Sequence, residues 1–182
     1  MKLISSKQLL ETPIFTVTWD RAVEPGGFEI ERAIVQHSGS AVMMPVDDRG
    51  RVLLVRQYRL PARQYMWELP AGRVDRGETV LKAAKRELRE ETGHTAKKWT
   101  KLASFFVSPG FLAERMTILL AQDLTEGEQE PMEDERIELD WVPSRKLDEW
   151  IEGGKIQDAK TMIGFFTWKR RAARIAAEKR SR

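Results

Sequence analysis

Apolar residues alternate with polar ones, or run together briefly, at Phe15–Asp20, Phe28–Gln36, Ala41–Val46, Val52–Tyr58, Leu102–Val107 and Met116–Ala121. A period of two marks a strand with one face in a core, and a short continuous apolar run marks a strand buried on both faces. These segments are therefore read as strands, and the Asp-Arg-Gly turn inside "VDDRGRVLLV" signals a hairpin between two of them. Helical spacing appears at Thr79–Thr92, stopped by Gly93, where Val80, Ala84 and Leu88 form an apolar stripe. A second helix is expected over Ser144–Glu152, capped by Ser144 and stopped by Gly153-Gly154, and a third over Asp158–Lys179 with Asp158 as N-cap. Strands and helices interleave without regular βαβ alternation, so a mixed sheet with helices packed on it is expected.

Composition narrows the class. The 182 residues are 41% apolar and 32% charged, which suits a packed globular chain and is too apolar for a disordered one. No run approaches the ~20 apolar residues of a membrane span, and a soluble, cytoplasmic protein with no membrane partner is expected. Cysteine is absent, which excludes disulfides, thiolate metal sites and a cysteine nucleophile. Charge is unevenly placed: Lys169–Arg182 carries a net +6, leaving −3 on the rest of a chain whose total is +3. A basic terminal helix could touch nucleic acid, but solvated helix ends are commonly charged and the acidic body argues against a nucleic-acid channel.

The first predicted helix carries unusual chemistry. Glu87 and Glu91 stand four apart on one face, Glu90 lies one step round, and the apolar stripe runs beside them. Like charges at this spacing repel, so carboxylates crowded where core meets solvent need a cation between them. One source is an arginine such as Arg86 pairing with Glu90. The other is a hard divalent ion, Mg²⁺ or Mn²⁺, which prefers oxygen ligands and is commonly completed by substrate phosphate.

Spacing adds to this. Gly72, five residues, Glu78, seven residues, then Arg86-Glu87-Leu88, one residue, Glu90-Glu91, one residue and Gly93 reproduces the Nudix box at eight positions. The chain thus resembles a Nudix hydrolase, departing from the usual pattern at His94, where the family generally has an aliphatic residue. By this resemblance Glu87 and Glu91 are principal metal ligands, Glu90 a further ligand or a supporting group, and the Ala71 carbonyl another ligand. Gly72 lets the loop pass close, and Arg86 orients the glutamates. The implied fold is α+β: a Nudix-type α/β/α sandwich with a mixed sheet over residues 39–182, plus a small N-terminal β lobe over residues 1–38.

Further segments resemble the ADP-ribose pyrophosphatase and nucleoside diphosphate sugar hydrolase subfamily: "LLVRQYRLPA", "WELPAGRVDRGE", "FFVSPGFLAER" and "GKIQDAKTMIGF". The resemblance implies Mg²⁺-dependent hydrolysis of the diphosphate, giving a nucleoside monophosphate and a sugar phosphate. Arg59 would grip the diphosphate, its planar fork matching phosphate oxygens, with Arg56 as a second candidate and Glu114 near the sugar or its phosphate. The N-terminal lobe would form a homodimer, with Phe15 and Arg32 around adenine and Trp67 nearby. Phe15 and Trp67 suit core packing equally well. The base would be a loop glutamate in "EGEQEPMEDERIEL", Glu133 or Glu135. Two other activities share the fold: a nucleotide-sugar sensor without turnover, and hydrolysis of RNA caps or dinucleoside polyphosphates.

Overall fold

The N-terminal runs pair among themselves. In the computed structural model, which describes residues 1–130 and 136–180, β1 (Lys2–Glu11), β2 (Thr16–Val23) and β3 (Glu29–Gln36) form an antiparallel sheet in the order β1-β2-β3. The first of these strands is absent from the sequence reading. Its apolar residues come in adjacent pairs, Leu3-Ile4 and Leu9-Leu10, instead of alternating, and register shifts between Leu3/Ser5 and Gln8/Leu10 accommodate that pattern.

The chain then builds the sheets of the main body. β4 (Ser40–Pro45), β5 (Arg51–Arg59), β6 (Gln64–Glu68), β7 (Ala71–Arg73), β8 (Thr95–Phe106), β9 (Arg115–Thr125) and β10 (Glu138–Pro143) are joined by α1 (Val80–Thr92), α2 (Ser144–Glu152) and α3 (Ala159–Arg180). One sheet runs β10-β5-β6, and the other β7-β4-β9-β8, with β4 parallel to β9 and its other pairings antiparallel. The expected mixed sheet is therefore present. Short strands β6, β7 and β10 escaped the sequence reading because they lie beside Pro, Gly or acidic residues, and their partners are remote in sequence.

Every residue of β4 is buried, and alternation sends its side chains to two cores. Val42 and Met44, with Ile118 and Leu120 of β9, face Leu54, Leu69 and Phe165. Ala41 and Met43, with Leu119 and Ala121, face Ala83, Ala84 and Leu88 of α1. Helix α3 comes so close to the first core that a side-chain carbon at Gly164 would lie 2.8 Å from Leu69 Cδ1. The sheet is thus sandwiched between α1 and α3.

Two local expectations change. The 48–50 turn forms, with Gly50 at φ +73°, but Val46↔Val52 is its one bridge, after which β4 and β5 join different sheets. Ser144 is the first residue of α2, not its cap: Pro143 holds the cap position without a side-chain hydrogen bond. By contrast, Asp158 does cap α3, its Oδ2 accepting the Thr161 N–H at 2.9 Å. Beyond Trp168, α3 is exposed as far as Arg180, with Lys169 paired to Asp148 at 2.5 Å. None of the described helices is long and apolar enough to cross a membrane.

The Asp47 carboxylate organises the first turn of the body, accepting the N–H groups of Arg49 at 3.0 Å and Arg51 at 2.7 Å, and the Arg51 Nε–H at 2.7 Å. Burial acts to raise its pKa, but the Arg51 backbone and side-chain bonds, with the Arg49 N–H, outweigh this and hold it below the ordinary carboxylate value. A depressed native pKa contributes stability that is complete above the unfolded value of about 4 and fades as pH falls through the native one. Asp47→Ala is expected to cost about 1–2 kcal/mol near neutrality, with the gap to the parent shrinking below about pH 4. Urea denaturation across that pH range measures it, and a gap independent of pH would contradict the assignment.

Candidate active site

Thr79 starts α1 by accepting the Lys82 N–H, and Gly93, at φ +70°, ends it by donating to the Arg89 carbonyl at 2.8 Å. Between these caps the helix lays its alanines and Leu88 on β4 and β9, which leaves its glutamates along β7. The closest approach is at Gly72, where a side-chain carbon would sit 1.8 Å from Glu87 Cδ. Only a residue without Cβ lets that carboxylate lie against the strand. Glu91 is 4% exposed, and its Oε2 accepts the Ala71 N–H at 3.0 Å. One strand thus touches two carboxylates of one helix.

Arg86 holds the rest of the cluster. Its Nη1 donates to Glu87 Oε1 at 2.6 Å and Glu90 Oε2 at 3.1 Å. Nε and Nη2 reach the Glu78 carboxylate at 3.3 and 3.0 Å, and Nη2 also reaches the Arg73 carbonyl at 3.1 Å. The bond to Glu78 is the largest influence on Arg86; despite opposing desolvation, it combines with the pairs to Glu87 and Glu90 to raise the guanidinium pKa well above its ordinary value. In return Arg86, foremost, holds the Glu78 carboxyl below its usual range.

Three carboxylates and a nearby backbone carbonyl are hard oxygen donors, and the cradle at Gly72 admits Glu87, so the residues fit a divalent cation in chemistry and packing. As placed, Glu87 and Glu90 turn to Arg86 and Glu91 to the Ala71 N–H, and no set of three acidic or histidine side chains is gathered as a metal cage among the described residues. His94, the departure from the box pattern, is buried edge-on against Trp141, with Nδ1 2.7 Å from the Thr92 carbonyl oxygen.

Next to this edge opens a cavity of about 330 Å³, lined by Ala71, Gly72, Arg59, Glu114, Glu68 and Lys160 among others. It brings Arg59 and Glu114 alongside the strand that touches Glu87 and Glu91. Arg59 donates through Nε to Glu68 Oε1 at 2.7 Å, and Glu114 accepts the Ser40 hydroxyl at 2.6 Å. Burial acts to lower the Arg59 pKa, but the bond and charge of Glu68, with the charges of Glu91 and Asp158, hold it above its ordinary value.

The other expected residues lie elsewhere. Arg56 pairs with Glu138 at 3.0 Å and covers the Tyr65 ring. Trp67 packs on Trp150, ring centroids 5.7 Å apart, at the margin of the first core. Phe15 lines a separate cavity that shares His37 and Arg73 with the cleft, while Arg32 lines a third with Phe106, Phe111 and Leu112. Phe15 and Arg32 therefore do not meet within one chain. Glu133 and Glu135 lie outside the described residues. The segment leading to them is held at the end of α1, where Gln129 Nε2 donates to the Glu91 carbonyl at 2.6 Å and the Glu130 N–H to the Glu90 carbonyl at 3.1 Å. The sequence reading missed Glu68 and Lys160, both inside quoted segments, because nothing local marks a buried ion pair between residues 92 positions apart.

A helix whose carboxylates are pressed on a strand glycine, at the rim of a mixed sheet covered on both faces, defines a Nudix-type site. The family model for the NUDIX domain matches residues 36–163, and the chain belongs to this family. It is 36% identical over 162 residues to the ADP-ribose pyrophosphatase of Bacillus subtilis, covering 88% of each chain. It is also 31% identical over 164 residues to the methanol dehydrogenase activator of Bacillus methanolicus, covering 89% of each. A crystal structure of an ADP compounds hydrolase superposes with a TM-score of 0.79 at 23% identity, covering 93% of this chain and 94% of that one, and shares the fold.

Gly72→Ala tests the cradle. Because the atom it would meet is the mobile end of Glu87, the expected cost in stability is under about 1 kcal/mol, yet the carboxylate must move. A melting temperature within a few degrees of the parent, with Glu87 displaced in a crystal structure, is the expected outcome. An unmoved Glu87 would overturn the close-approach reading.

Proposed function

We propose that this protein hydrolyses the diphosphate of ADP-ribose or a related nucleoside diphosphate sugar, releasing a nucleoside monophosphate and a sugar phosphate. The observation that carries the reading is the single cleft in which Arg59 and Glu114 face the Ala71–Gly72 strand bearing on Glu87 and Glu91. Similarity to an ADP-ribose pyrophosphatase over most of the chain supports the substrate class.

Glu87 and Glu91 would hold a divalent metal, Mg²⁺ with Mn²⁺ as substitute, helped by Glu90 and the Ala71 carbonyl. Bound there, the ion supplies positive charge against the diphosphate and acidifies a water for attack at phosphorus. Arg86 keeps Glu87 and Glu90 in place by sharing one nitrogen between them. Arg59 grips the phosphate oxygens and Glu114 meets the sugar side of the cleft. Glu133, or Glu135, takes the proton of the attacking water. Arg56 and Trp67 would serve from outside this cleft, and Arg32 and Phe15 would contact the nucleobase across a dimer.

The dimer would form through residues 1–38 as a β lobe beside the catalytic domain of residues 39–182. Every residue of β1 is exposed, including Leu3, Ile4, Leu9 and Leu10, and Trp19 on β2 and Phe28 just before β3 add apolar area. An edge strand this apolar is suited to pairing with another chain. A cytoplasmic location accords with a small-metabolite substrate.

Glu87→Gln and Glu91→Gln are expected to stay folded and to lose at least about 10²-fold in turnover, measured with a panel of nucleotide sugars and product identification. Near-normal turnover of either at saturating Mg²⁺ would refute the ligand assignment. Light scattering after size exclusion is expected to give twice the 21.0 kDa chain mass, and Leu9→Glu/Leu10→Glu, which charges both faces of β1, is expected to give monomer. A monomeric parent would remove the shared-pocket model.

A further inference from the structure

The cleft is also lined by an ion cluster of which the reaction above gives a part to Arg59 alone. Lys160 is 6% exposed and Glu68 2%. Lys160 Nζ donates to Glu68 Oε2 and, at 3.0 Å, to Asp158 Oδ1. Glu68 Oε1 receives Arg59 Nε at 2.7 Å. Asp158 Oδ2 receives the Thr161 N–H and hydroxyl, and Thr161 Oγ1 accepts the Leu69 N–H at 2.8 Å. Two carboxylates thus face two cations, joining the end of β5, the end of β6 and the first turn of α3.

Lys160 is poorly placed for stability alone. It sits in the first turn of α3, where the helix dipole disfavours a cation, and its ammonium is withdrawn from water, a cost that ion pairing often only balances. What the arrangement does achieve is control of Arg59. With Oε2 taken by Lys160, Glu68 offers Arg59 one oxygen, met by Nε. Among the described residues the Arg59 Nη atoms make no hydrogen bond, and its side chain is 40% exposed on the cleft.

We infer that Lys160 is a positioning residue: by occupying one oxygen of Glu68, it prevents a bidentate Arg59–Glu68 pair and keeps the Arg59 fork turned toward the diphosphate of the substrate. The inference rests on the reading of the cleft as a diphosphate site. Without Lys160, Glu68 could take the whole guanidinium fork, the strongest geometry open to that pair, and the cleft would lose a positive charge. Both changes weaken the hold on an anion.

The test compares the parent, Lys160→Met and Lys160→Met/Glu68→Gln as full-length proteins. Melting temperature, kcat and KM for ADP-ribose are measured, together with the affinity for inorganic pyrophosphate with Mg²⁺ by calorimetry. Lys160→Met is expected to raise KM and the pyrophosphate Kd about 10-fold or more with kcat within about 3-fold. Converting Glu68 to a neutral amide in the double variant is expected to recover most of that loss, because the competitor for Arg59 is gone. Should Lys160→Met not fold, Lys160→Gln, which keeps one N–H for Glu68, carries the same comparison with a smaller expected rise. Unchanged KM and Kd in a folded variant overturn the inference while leaving the hydrolase reading intact. Loss of stability and kcat without recovery in the double variant also overturns it, as that describes a purely structural lysine. A parent that binds pyrophosphate but turns over no nucleotide sugar would sink the hydrolase reading, and the pyrophosphate affinities would still decide the role of Lys160.

Discussion

The site depends on one guanidinium. Glu78, Glu87 and Glu90 lie close enough to repel one another at the rim of a core, and Arg86 meets all three while tying α1 to the Arg73 carbonyl of the facing strand. Charge-assisted bonds are the stronger kind, and here they serve both sides of the contact. The helix is held at a fixed height over Gly72, with the three carboxylates gathered on one guanidinium. A lysine could not do this, since a point charge lacks the planar fork that spans several acceptors.

That edge exists because the sheet beneath it is apolar on both faces. β4 and β9 send alternate residues into separate cores, so α1 and α3 pack on opposite sides. Helix α1 brings the acidic edge against β7, and the start of α3 brings Lys160 and Asp158 into the lining of the neighbouring cleft. The Ala71–Gly72 strand that bears on the acidic edge lines the cleft together with a balanced set of ions, Glu68, Asp158, Lys160 and Arg59. On the proposed reading, a metal-loaded diphosphate would lie in this cleft, its charge answered by the ion and by Arg59.

The chain ends present different surfaces. The N-terminal sheet is tied to the body where Val35 pairs with the 111–113 segment, its N–H donating to the Phe111 carbonyl at 2.8 Å, and it displays apolar side chains along its outer strand. The last turns of α3 carry the excess positive charge into solvent, with Lys169–Asp148 and Arg174–Glu178 pairs along them. From Lys169 to Arg180 the basic run is therefore an exposed helix end, and none of these residues lines the cleft.

Local patterns in the sequence settled the type of the segments they marked. The period-two runs became strands, and the Thr79-to-Gly93 interval became a capped helix with Glu87 and Glu91 on one edge, because on a helix three- and four-residue intervals place side chains on one face whatever surrounds them. The resemblance to the Nudix family rests on the match to its box at eight positions. Only the tertiary structure decided what those segments meet. The pairing of β1 through its bulges, the departure of β5 into a second sheet, the removal of Trp67 to the core and the Glu68–Lys160 pair across 92 residues all depend on long-range packing. Such contacts are set by which faces must be buried together, a condition that no short window of sequence contains.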